Sequence, residues 1–213
     1  MIMKFIKIQF VLLFVSQYIL AISLHNNSPQ DTVNKNFIEI DGIVSMEAEN
    51  ANELYGWIEK TGLSNSSGVT MVDQEPEEGG YLSFVIDFTK TGVYVIWALH
   101  AKSTEGYRPD QANDCFAVFN NKQLDLESNS ACHGKHAKVI GLGTHQTTLN
   151  WQSRPKTECT EDRNKKVIFN VESPGTYEFK ISSRSKGYML DKLVFVHREN
   201  PYIPVDKGPA ETR

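Results

Sequence analysis

The chain has 213 residues, enough for one domain with a sizeable core, since domains cluster around about 100 to 200 residues. Its formal net charge of −4 is spread over 22 Lys and Arg and 26 Asp and Glu. No basic stripe results, which excludes the electrostatic footprint of a nucleic-acid binder or of a protein held on an anionic membrane. Lys4 and Lys7 precede an apolar run from Ile8 through Phe14 to Leu20, followed by the small residues Ala21 and Ser23. That is the order of a secretory signal peptide over residues 1–23, cleaved after Ala21 or Ser23; an uncleaved anchor is the alternative. The cleaved chain is expected to be secreted or periplasmic, free of the membrane and monomeric. Residues 24–36 are polar and aperiodic and read as a linker.

Ile43 to Asn50, IVSMEAEN, predicts a strand whose faces disagree. Val44, Met46 and Ala48 face one way, while Ser45, Glu47 and Glu49 face the other, so two carboxylates share a face about 7 Å apart. Beside a packed sheet, such like charges raise each other's pKa unless a cation sits between them. Near the other end, YMLDKLVFVH places Asp191 on the face of Leu193 and Phe195, and an acid at the mouth of an apolar face is seldom unpaired.

Between these segments the period-two signal is strong. Residues 51–80 predict a loop-rich excursion with a short strand around Gly68 to Val72. From Tyr81, the residues Leu82, Phe84, Ile86 and Phe88 share one face. Thr91-Gly92 turns the chain into VYVIWALHA, apolar on both faces like a central strand. DCFAVFNNKQ predicts a hairpin turned at Asn120-Asn121, Thr147 to Trp151 a short strand, and Ser173-Pro174-Gly175 a turn between KVIFNVE and TYEFKIS. Helical periodicity appears nowhere at useful length. The expected fold is all-β, an antiparallel β-sandwich of the jelly-roll kind over residues 37–200. Lys102 to Asn113, Glu127 to Gln146 and Gln152 to Lys165 are expected to be long loops, and residues 201–213, with three prolines, an extended tail.

Of three cysteines, Cys115 alternates with Ala117 and Phe119 and reads as a buried small hydrophobe. Cys132 and Cys159 lie in polar stretches and are the expected disulfide of an oxidising compartment. Cys132, His133 and His136 also invite a zinc reading, although the spacing matches no common zinc pattern. Sugars present apolar C–H faces and a rim of hydroxyls, so a sugar site needs an aromatic platform with polar side chains around it. The candidates are Tyr107 with Arg108 and Asp110, then Trp151 and Tyr188. Core filling is the competing reading for the last two. Arg108, Arg154 and Arg184 favour an acidic sugar through bidentate pairing.

The early DGIVSMEAEN, the middle TGVYVIWALHAKSTEGYRPDQANDCFAVFNN and the late GYMLDKLVFVHREN resemble, in type and order, the carbohydrate-binding modules of families 6 and 35. They resemble more closely the C-terminal sandwich of family 115 glycoside hydrolases, with a galactose-binding-domain-like fold. The resemblance implies a structural Ca²⁺ on Glu47, Glu49 and Asp191, and a cleft at one end of the sandwich where Tyr107, Trp151 and Tyr188 converge on a polysaccharide or its oligosaccharides. It departs at Met189, where family 6 modules carry a ligand-binding Asn. No GxSxG, HExxH or phosphate-binding Gly loop is present. The expected function is therefore a secreted, non-catalytic carbohydrate-binding module. A protein-interaction sandwich, or a glycoside hydrolase accessory chain with its own activity, is the alternative.

Overall fold

The structure, a computed structural model, describes residues 36–75, 79–103, 112, 114–120, 122–123, 125–126, 137–140, 146–153 and 167–213. Five short strands come first: β1 (Phe37–Ile38), β2 (Ile43–Glu47), β3 (Glu53–Tyr55), β4 (Trp57–Lys60) and β5 (Thr70–Asp73). The long strands β6 (Tyr81–Phe88) and β7 (Gly92–Lys102) follow. Next come β8 (Asp114–Phe119), β9 (Lys122–Gln123), β10 (Asp125–Leu126), β11 (Ala137–Ile140) and β12 (Gln146–Ser153). The chain closes with β13 (Val167–Val171), β14 (Gly175–Ser183) and β15 (Tyr188–His197).

Two sheets face each other. One runs β1-β6-β14-β8-β11, with β3 on β6 and β9 on β8; the other runs β10-β13-β7-β15-β5-β4, with β12 on β7 and β2 on β15. All named pairings are antiparallel except β1 with β6. This is the β-sandwich expected from the alternation, and the apolar face of β6 (Leu82, Phe84, Ile86, Phe88) is buried as predicted. It meets Phe179 and Ile181 of β14, Ala117 of β8 and, from the facing sheet, Phe169, Leu193 and Phe195. Phe179 and Phe195 meet edge to face at 4.9 Å between the two sheets. Burying each such ring stabilises by about 1.5–3 kcal/mol. The β8–β9 hairpin turns where Asn120-Asn121 predicted, Asn120 taking a left-handed φ of 46°.

Four expectations are corrected. Residues 53–60 and 137–140, read as loop, form β3, β4 and β11; these are edge strands or short pairings, whose one-sided burial leaves a weak alternation. The strand carrying Glu47 stops there, and Ala48–Asn50 is a 3₁₀ turn, so Glu47 and Glu49 do not share a strand face. Pairing of β15 with β7 shifts between Leu190 and Lys192. This bulge lets Tyr188 and Leu190 join Leu193 and Phe195 in one core, which strict alternation forbids, and Asp191 is the residue at the shift. Finally, the tail is extended but lies back on the sandwich. Thr212 exchanges hydrogen bonds with Ser45 and its carbonyl accepts from Ile38, while Glu211 accepts from the Glu47 and Asn50 nitrogens.

Candidate functional site

Glu47, Glu49 and Asp191 reach the same short segment, Ser66 to Thr70, from two strands and a turn. Asp191, fully buried, accepts from the Ser66 hydroxyl at 2.5 Å, the Thr70 hydroxyl at 2.8 Å and the Ser67 amide at 2.9 Å. The Ser67 hydroxyl lies 2.7 Å from Asp191 Oδ2 and 2.5 Å from Glu47 Oε2, bridging the two acids. Glu47 Oε1 also pairs with Lys192 Nζ at 2.7 Å. That ammonium donates as well to the Lys207 and Pro209 carbonyls of the tail.

Glu49 has no such cation. Its Oε1 accepts only a long bond from the Val69 amide, and its Oε2 is buried without a partner. Burial, and then the charges of Glu47 and Asp191, push its carboxyl up to about 7. Among the described residues, no group of three or more His, Cys, Asp or Glu stands in a metal-holding arrangement. The donors gathered here are nevertheless all hard oxygens, and the orphaned Glu49 oxygen is the kind of group a Ca²⁺ would satisfy.

The predicted sugar-binding residues do not converge. Tyr107, Arg108 and Asp110 lie outside the described residues, as do Arg154 and both Cys132 and Cys159 of the expected disulfide. Trp151 lies half-buried under the tail: its Nε1 donates to the Asp206 carbonyl, and a side chain at Gly208 would meet the ring at 2.5 Å. Tyr188 is 1% exposed and packs edge-on against Trp57, so its ring fills the core rather than offering a platform. Its position in β15, one residue short of the bulge, turns it inward. Arg184 is held by Asp114 at 2.9 and 3.0 Å, which withdraws it from pairing with an acidic sugar. Met189 packs with Val72, Leu99, Ala101 and Leu149, on the opposite side of the strand from Tyr188. Cys115 is free and buried, as expected; burial pushes its thiol well up, so it is unreactive.

A different constellation stands where β3, β4, β5, β6, β14 and β15 meet at one end of the sandwich. Tyr55, 62% exposed, pairs across the strands with the half-buried Tyr81, ring centroids 6.4 Å apart. Lys180 Nζ sits 3.8 Å over the Tyr81 ring. Behind this rim the backbone is drawn tight: a Cβ on Gly80 would lie 2.6 Å from Ser183 Oγ and 2.8 Å from the Tyr55 carbonyl. Ser183 in turn donates to Asp73 Oδ1 at 2.6 Å.

Deeper still, Trp57 Nε1, Asp73 Oδ2, His100 Nδ1 and the Tyr188 hydroxyl are buried without a hydrogen-bond partner. The Tyr188 hydroxyl faces only the Cys115 thiol, too weak a group to count as a full partner. The residues adjoin one another: Trp57 pairs with Asp73 across β4 and β5, and Tyr188 touches both Trp57 and His100. Each orphaned group costs about 1–3 kcal/mol of stability. Burial pushes the Asp73 carboxyl up to about 6 and the His100 imidazole down to about 4. Sequence reasoning missed this cluster because its members stand in four strands; the signal within reach was LYGW, aromatics flanking a glycine.

Residues 36–209 match the model of the glycosyl hydrolase family 115 C-terminal domain. A search of curated proteins found no match. The chain is similar to a β-(1,4)-mannanase of Podospora anserina described as GH26-CBM35, with a TM-score of 0.52 and 17% identity over 78% of this chain and 29% of that one. A family 35 carbohydrate-binding module from Clostridium thermocellum gives a TM-score of 0.49, with 17% identity over 72% of this chain and 96% of that one. A module of Cellvibrio mixtus lichenase 5A, solved in complex with cellotriose, gives 0.48, with 14% identity over 73% and 98%. At such identity the likeness to the mannanase speaks for the fold alone, and this chain spans under a third of that enzyme's length. The extent of the family match settles membership: the chain belongs to the glycosyl hydrolase family 115 C-terminal domain family.

Proposed function

We propose that this chain is a secreted, non-catalytic carbohydrate-binding module, engaging a polysaccharide or its oligosaccharides at the Tyr55–Tyr81 end of the sandwich. The observation that carries the reading is a pair of tyrosines at the surface above four buried polar atoms that lack partners. An aromatic rim stacks on the C–H faces of a sugar, and unsatisfied polar groups await its hydroxyls. The fold supports the reading, since the chain resembles a sandwich found in carbohydrate-active enzymes. Tyr107, Arg108 and Asp110 enter the proposal from sequence, as residues of the connection between β7 and β8. Glu47, Glu49 and Asp191 would hold a structural Ca²⁺, which supplies the positive charge that Glu49 lacks. The ion's role would be to tie β2, the Ser66–Thr70 segment and β15 together.

A glycan array probed with the full chain, with and without Ca²⁺, and a reducing-sugar assay on any hit test this reading. Binding without turnover is expected, and Tyr55→Ala should abolish it while leaving the fold intact. Release of reducing ends would make the chain an enzyme. Silence on both would favour a protein-interaction role.

A further inference from the structure

The orphaned atoms at the Tyr55–Tyr81 end also carry a preference among sugars, an inference that rests on the saccharide reading of that end. Trp57 Nε1 can only donate. His100 Nε2 lies 2.8 Å from Gln152 Oε1, an acceptor, so the ring proton sits on Nε2 and Nδ1 is left to accept. Asp73 Oδ2 accepts, and the Tyr188 hydroxyl can do either. The set thus asks its ligand for more donors than acceptors. A sugar hydroxyl donates one hydrogen bond and accepts others, which matches; a carboxylate accepts only, and would leave Asp73 and His100 unsatisfied.

The charges around Asp73 point the same way. Glu75, whose amide bonds Asp73 Oδ1, and Asp114 are acidic. Of the cations, Arg184 is forked on Asp114, Lys180 lies over Tyr81, and Lys102 is buried with interactions of its own.

We propose that this site takes neutral sugars and rejects uronates, with Asp73 as the residue that sets the preference. Isothermal titration calorimetry on the full chain at neutral pH, with xylohexaose, cellohexaose and mannohexaose against hexagalacturonate, tests it. At least one neutral hexamer should bind about tenfold or more tighter than the uronate, the cost of one mismatched buried hydrogen bond. Asp73→Asn should weaken neutral binding and narrow the gap. Trp57→Phe, which keeps a ring and removes the N–H, should weaken neutral binding by about tenfold and serves if the Asp73 variant fails to fold. Equal or tighter binding of the uronate by the wild type overturns the preference and leaves the saccharide reading standing. Neutral affinity unchanged in the variants assigns the orphaned atoms to structural water and overturns the proposal. No binding of any hexamer by the wild type overturns the preference and the saccharide reading together.

Discussion

Glu49 is where the acid cluster reports itself, because it alone of the three acids lacks a strong partner. Its carboxyl is raised from 4.5 to about 7, by burial first and the charges of Glu47 and Asp191 next. The folded chain therefore keeps a proton that the unfolded chain has released. The stability this contributes is fully present below 4.5 and is lost as pH rises through about 7. Asp73 acts with the same sign between 3.8 and about 6. His100 acts with the opposite sign, since its lowered pKa gives stability that is lost as pH falls from 6.5 towards about 4. The wild-type profile mixes the three, so the variant Glu49→Gln is the clean measurement. Its melting temperature relative to wild type should climb between pH 5 and pH 7.5 in EDTA. A constant difference across that range would show that Glu49 does not titrate there. Added Ca²⁺ should shrink the advantage of the Gln variant, since the ion favours the ionised wild-type carboxylate.

At the scale of elements, β15 and the tail decide how the acids are held. The bulge at Asp191 lets a strand buried along its whole length place Leu190 and Leu193 in one core while turning an acid towards Ser66, Ser67 and Thr70. The tail holds the other side, its Lys207 and Pro209 carbonyls steadying the Lys192 ammonium that Glu47 uses as counter-ion. Lys192→Met should therefore leave Glu47 without its cation and destabilise the chain by about 3 kcal/mol, the usual cost of breaking a largely buried pair. Because three acids then face one another, Ca²⁺ should raise the melting temperature of this variant more than that of wild type. An equal calcium response in both would separate Lys192 from the proposed ion. Deleting residues 206–213 should red-shift the emission of Trp151, whose ring the tail covers. It should also lower stability by about 1 kcal/mol for each hydrogen bond lost. An unshifted spectrum would mean that the tail does not lie on the ring in solution.

For the whole molecule, the proposed calcium is a folding ligand as well as a site. An ion that binds only the folded state at about 100 times its dissociation constant adds about 2.7 kcal/mol. In a domain of this size that should move the melting temperature by about 5–10 °C. Differential scanning calorimetry with Ca²⁺ and then with EDTA reads this directly. Superimposable curves would remove calcium from the account.

Local pattern was enough for the strands that are buried on one face or both. Leu82, Phe84, Ile86 and Phe88 declare β6 because a pleated strand repeats every two residues, and Gly92 to Ala101 declare a central strand because both of its sides are covered. The pairing of an early acidic strand with a late LDKLVF strand was also legible, and β2 does lie against β15. The short edge strands escaped, since solvent on one side removes the hydrophobic signal that marks a strand. What only the tertiary structure decided is where side chains end up when a strand leaves its period. One bulge sent Tyr188 into the core instead of the surface, one 3₁₀ turn took Glu49 off the face of Glu47, and Asp114, 70 residues away in sequence, engaged Arg184. The cluster of Trp57, Asp73, His100 and Tyr188 has the same origin: residues from four strands become neighbours only when two sheets close on each other, and no periodicity along one chain encodes that meeting.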